Sequence, residues 1–171
     1  MAERPLKVGD SAPAFSLAPA APAGGGAAAP VTLQSLRGKK VVLYFYPKDD
    51  TPGCTREACG FQASQARLAK AGAVVLGVSG DSPASHRKFA DKFSLQFPLL
   101  SDPDKAVCKA YGVYGQKSMY GRTYFGIVRT TFVIDEAGRI QAVFPKVKVD
   151  GHVEEVLEAL RAGDRAGAPS R

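Results

Sequence analysis

Two runs of the chain, VVLYFY (41–46) and AVVLGVS (73–79), are apolar almost without interruption. A strand with one wet face alternates apolar and polar residues. A run without that alternation is buried on both faces, as in a parallel sheet covered by helices on each side. The flanking residues supply the helices. Thr51-Pro52 and Ser82-Pro83 each place a capping residue before a proline at the first helical position. They open expected helices over 51–71 and from 82 onward, the second carrying Phe89 and Phe93 inward. FPLL (97–100) reads as a short strand, and Asp104 as the cap of a short helix reaching Tyr111. TTFVID-EAG-RIQAVF (130–144) reads as a β-hairpin. The last helix is expected to begin near Asp150, with Val153, Val156, Leu157 and Leu160 on one face.

The order is βαβα, then βα, then ββα. It implies an α/β fold with a central mixed sheet flanked by helices, parallel at its centre and antiparallel at the late hairpin. A thioredoxin-like fold fits that order better than a Rossmann fold. No G-x-G-x-x-G follows the first strand, and no G-x-x-x-x-G-K-[ST] occurs.

At 171 residues the chain is expected to form one domain, 1–171, with the Ala/Pro/Gly-rich stretch 18–30 as a flexible insertion. No apolar run approaches the ~18 residues that span a bilayer, and the start lacks an apolar signal region. The expected setting is the cytoplasm, where close cysteines are more often catalytic or metal-binding than structural. Three cysteines also make an odd number for a disulfide framework. The net charge of +7 is scattered among acids without a dense basic run, so no nucleic acid is expected as a partner.

Counting from Thr51 as N-cap places Cys54 at the third helical position. Unpaired backbone N–H groups and the helix dipole favour negative charge there, so a thiolate gains directly. Gly53 would let a small substrate approach those N–H groups, and the Thr51 hydroxyl lies on the same turn. An inert core cysteine is the alternative. Cys59 follows at i+5, where an ideal helix sets Cα atoms roughly 8.5–9 Å apart. A disulfide needs a Cα separation below about 7 Å, so these two could bond only if the helix start unwound. Cys108 neighbours Val107 and Tyr111 and reads as a packing residue. His86, on a polar helical stretch, and His152 show no metal-ligand spacing, so no metal and no cofactor are expected.

The pattern Pro47-x-x-x-Thr51-x-x-Cys54 resembles the active-site motif of the peroxiredoxins. The longer YFYPKDDTPGCTREAC resembles the bacterioferritin-comigratory-protein, or Q-type, branch. GDSAPAFSL, GVSGDSPASHRKFADKF, LLSDPDKAVCKAYGV and MYGRTYFGIVRTTFVID extend the likeness over most of the chain outside 18–30. The resemblance implies a thiol-dependent peroxidase acting on hydrogen peroxide and organic hydroperoxides. It implies Cys54 as the peroxidatic cysteine, Thr51 as a hydroxyl on the peroxide, Pro47 as a shield, and Arg129 as the stabilising cation. It implies Cys59 as the resolving cysteine, a thioredoxin-type reductant, and a monomer or weak dimer. Some relatives carry the resolving cysteine on the helix that here runs from His86 to Phe93, which has none. A thiol–disulfide oxidoreductase would be expected to show C-x-x-C rather than C-x-x-x-x-C. A non-enzymatic redox sensor would oxidise but turn over poorly.

Overall fold

Two short strands, β1 (Ser16–Pro19) and β2 (Val31–Thr32), precede a 3-10 turn at Gln34–Leu36 and the central strand β3 (Lys40–Phe45). There follow α1 (Pro52–Ala63), α2 (Gln65–Lys70), β4 (Ala73–Ser79), α3 (Pro83–Phe93) and β5 (Leu99–Ser101). Next come α4 (Ala106–Ala110), β6 (Tyr114–Met119), β7 (Arg122–Ile127), β8 (Thr130–Ile134), β9 (Ile140–Phe144) and α5 (His152–Gly167). The computed structural model describes residues 6–22 and 28–167. Among these, seven strands form one sheet in the order β2-β1-β5-β4-β3-β8-β9, and β6 and β7 form a separate ribbon. β3, β4 and β5 run parallel, while β8, β9, β1 and β2 join antiparallel. This is the mixed thioredoxin-like sheet that the strand–helix alternation implied.

Every residue of β3 is buried. Its side chains alternate between two cores, as the two-residue period of a strand requires. Val42, Tyr44 and Tyr46 pack with Cys54, Phe61, Leu68, Phe89 and Leu157 on one side. Val41, Leu43 and Phe45 pack with Leu76, Leu100, Cys108 and Phe132 on the other. Tyr44 stacks on Phe61 at 4.8 Å between ring centroids, which ties α1 to the sheet directly below the first helical turn. Gly77, opposite Tyr44 in the β3–β4 register, admits that ring: a Cβ there would lie 2.9 Å from it. Burying an aromatic side chain such as Phe61 stabilises by about 2–3 kcal/mol.

Several local expectations change. The helix expected over 51–71 is two helices, because Ser64 leaves helical angles (φ −105°, ψ 11°) and serves as cap to both. Its hydroxyl accepts a bond from the Arg67 guanidinium. The short fourth helix is capped by Asp102 as well as Asp104. Asp102 accepts from the N–H groups of Val107 and Cys108, while Asp104 accepts from Ala106. The β6–β7 hairpin was not expected. Its turn uses Tyr120 and Gly121, both at positive φ, as a tight two-residue hairpin requires. In the stretch 18–30, Ala18 and Pro19 belong to β1 and pair with Ser101 and Leu100. Residues 23–27 lie outside the described residues. His86 is not on a polar surface but wholly buried. No helix among the described residues is long and apolar enough to cross a membrane.

Candidate active site

β3 delivers its chain to one end of the sheet, where Tyr46 N–H still bonds Val78 O before half-buried Pro47 ends the ladder. Thr51 then takes extended angles (φ −96°, ψ 156°) and Pro52 starts α1, as the sequence implies. The Thr51 side chain does not cap the helix; its hydroxyl donates to Lys48 O at 2.9 Å. The first-turn N–H groups therefore keep no side-chain cap, and Cys54 sits among them, 1% exposed. All three cysteines are free thiols, Cys54 and Cys108 buried and Cys59 half-buried.

Arg129, between β7 and β8, reaches this turn from across the sheet. Its Nη2 donates to Cys54 Sγ at 3.4 Å, and its Nη1 donates to Glu57 Oε1 at 2.6 Å. A Cβ on Gly53 would lie 3.1 Å from Nη2. The space expected to admit substrate over Gly53 thus holds the guanidinium. Burial opposes the charge on Arg129, but Glu57 and Cys54 outweigh it and hold its pKa above the usual value.

Glu57 is the residue that sequence reasoning missed. One turn along α1 from Cys54, it is 1% exposed, and burial raises its pKa to about 7 against the opposing pull of Arg129. Its Oε2 has no hydrogen-bond partner among the described residues. The available signal was an acidic residue three positions after the cysteine, which shares its helix face. Lys117 on β6 also borders the site. Burial, then the charge of Arg129, lower its pKa, while Cys54 raises it. Cys108 stays apart, in the other core, where burial and Asp102 push its thiol far above the ordinary range.

The donor atoms of Asp49, Asp81 and His86 lie within 4.8 Å of one another, the spacing of a candidate ligand set. They are engaged with one another instead: His86 Nδ1 stands 2.7 Å from Asp49 Oδ2, a direct hydrogen bond. His152 is buried between Thr131 Oγ1 at 2.8 Å and Glu155 Oε1 at 3.1 Å, and burial lowers its pKa.

An uncapped helix start, a buried thiol in its first turn and a half-buried arginine on the sulfur form one unit. Residues 8–143 match the AhpC/TSA family. Peroxiredoxin Bcp of Escherichia coli is 47% identical over 157 residues, 92% of this chain and 97% of that protein. The chain belongs to the peroxiredoxin family. A bcp-type relative in Coxiella burnetii is 56% identical over 155 residues, covering 91% of this peroxiredoxin and 99% of its relative. Among solved structures, Xanthomonas campestris peroxiredoxin Q superposes with a TM-score of 0.79 at 44% identity, over 86% of this chain and 90% of its own. The bacterioferritin comigratory protein of the same organism, studied for its alkyl peroxide reduction activity, superposes at 0.78. The chain is therefore in the Bcp, or Q-type, branch that its motif resembled.

Proposed function

We propose that this peroxiredoxin reduces hydrogen peroxide and organic hydroperoxides through Cys54, with Cys59 as the resolving thiol. The observation that carries the reading is Arg129 Nη2 on Cys54 Sγ at the uncapped start of α1. The Cys54 thiolate attacks the terminal peroxide oxygen, and the O–O bond breaks. With one proton taken up, water or an alcohol leaves and Cys54 becomes a sulfenic acid. Charge moves from sulfur to the leaving oxygen, so first-turn N–H groups and a permanent cation favour the transition state over the ground state. Thr51, on the same turn, offers its hydroxyl to the peroxide by giving up its bond to Lys48 O, and Pro47 shields the pocket's entrance.

In the second step the Cys59 thiol attacks the Cys54 sulfenic sulfur, forming a disulfide and expelling water. A thioredoxin-type dithiol then reduces that disulfide and is itself oxidised. Recycling of this kind calls for a reducing compartment, and a cytoplasmic setting is part of the same reading. A peroxidase assay coupled to a thioredoxin system, run with hydrogen peroxide and with an organic hydroperoxide, tests the whole cycle. Steady turnover of both, lost in Cys54→Ser, is the expected result. Oxidation without turnover would favour a sensor.

A further inference from the structure

The loop that delivers Cys54 hangs from a buried polar cluster that the peroxide chemistry above does not use. Asp49, between β3 and α1, is 7% exposed. Its Oδ1 accepts from the Tyr46 hydroxyl at 2.6 Å. Its Oδ2 accepts from the Ser85 hydroxyl at 2.8 Å and meets His86 Nδ1 at 2.7 Å. His86, on α3, presents its other nitrogen to Leu100 O of β5 at 3.0 Å. The Asp49 N–H donates to Asp81 Oδ2 at 2.8 Å, and the Ser79 hydroxyl holds that same oxygen at 2.7 Å. Beside it, Asp50 takes a left-handed φ of 58° and pairs with Lys92 of α3 at 2.9 Å.

Burial by itself would raise the Asp49 carboxyl, but the bonds from His86, Tyr46 and Ser85 outweigh it and hold the pKa below the usual value. The Asp49 carboxylate and the Leu100 carbonyl thus face His86 at one ring nitrogen each. Such charge-assisted bonds in a dry site are strong, and breaking one leaves a buried charge without its partner. The chain just before Thr51 is therefore fastened to α3, β4 and β5. The chain just after it must leave the helical state for Cys54 and Cys59 to bond.

We propose that the Asp49–His86 pair is a positioning element that holds the first turn of α1 in its helical, peroxide-reactive state. It thereby sets how the Cys54 sulfenic acid divides between the Cys54–Cys59 disulfide and over-oxidation. The proposal rests on the roles given to Cys54 and Cys59 above. In the helical state a second peroxide transfers an oxygen to the sulfenic acid, giving sulfinic acid and water or an alcohol. In the opened state the Cys59 thiol reaches the sulfenic sulfur and water leaves. A tighter anchor favours the first outcome, a looser one the second.

Two variants test this. Asp49→Asn removes the charged acceptor, and Tyr46→Phe removes one bond while keeping the ring. Amide exchange is measured on the reduced protein, and the sulfinic fraction of Cys54 by mass spectrometry after a fixed peroxide dose. Losing a hydrogen bond to a charged group corresponds to about tenfold or more in local opening. Exchange at 55 and 56, the first amides bonded within α1, is expected to rise by that factor while strands 41–45 and 131–134 keep their protection, and the sulfinic fraction is expected to fall. An unchanged sulfinic fraction overturns the proposal whatever the variants' stability. So does exchange at 55 and 56 within about twofold of the wild type. The exchange result is read without peroxide and stands apart from the functional reading, which Cys54→Ser tests by itself.

Discussion

Arg129 can reach the sulfur of Cys54 because Gly53 carries no side chain in its path. Arg129→Met is expected to slow peroxide reduction by roughly 10²–10³, the cost of removing one donor preorganised for a charged transition state. Single-turnover kinetics with Cys54 oxidation as the signal would measure it, and a rate like the wild type's would leave the helix start as sufficient. Glu57 gives a second prediction, in stability. Its folded pKa, about 7, lies above its ordinary 4.5, so the folded state binds the extra proton. Stability from this group is full below about pH 4.5 and is lost as pH rises through about 7, by up to about 3 kcal/mol. Glu57→Gln should remove that loss, so the difference in urea-unfolding stability between variant and wild type should grow from pH 4.5 to 7.5. Parallel profiles would contradict it. At this scale the local part of the site was legible: Thr51, Pro52 and Cys54 occupy the cap, first and third helical positions that their order implies. Arg129 was not, except through family resemblance, because β8 brings it to Cys54 from 75 residues away. Glu57 was missed because its place three residues after Cys54 shows only a shared helix face, not the arginine that folds against it from 72 residues away.

α1 is the element on which the proposed cycle turns. Its start is where Thr51 and Pro52 place it in the sequence, although the Thr51 hydroxyl makes no capping bond, but its end is not so marked. Ser64 leaves helical angles there, and no glycine or proline announces the break. Cys59 lies in the same unbroken helix as Cys54, so side chains at i and i+5 point about 140° apart around the axis. The disulfide therefore requires loss of helix around 52–60. Amide exchange should show protection lost there in the oxidised protein and largely kept in strands 41–45 and 131–134. Equal protection of α1 in both redox forms would contradict the pairing. Cys59→Ser should leave the first reaction with peroxide intact, stall thioredoxin-dependent recycling, and raise the yield of sulfinic acid at Cys54. Mass spectrometry of the treated variant decides it. The β6–β7 ribbon was illegible for another reason. It stands off the main sheet with much of its second strand exposed, so it lacks the apolar alternation that reveals a strand.

Over the whole molecule, the central sheet is the most legible part, because burial on both faces leaves the strongest trace in a sequence. The two runs first noticed became β3 and β4, neighbours in the sheet, and the expected hairpin became β8 and β9. The polar interior was the least legible. Asp49 and His86 are far apart in the chain, and His86 read as part of a polar helical stretch until the fold closed the two into one buried pair. That arrangement fastens the turn carrying Cys54 to the end of the sheet, in front of a helix that would have to open for the proposed Cys54–Cys59 disulfide. The most direct test of the account is to treat the reduced protein with one equivalent of peroxide and map its disulfides by peptide mass spectrometry. A single Cys54–Cys59 linkage, absent from Cys54→Ser, is the predicted result. A Cys54–Cys108 linkage, or peroxide consumption undiminished in Cys54→Ser, would contradict it.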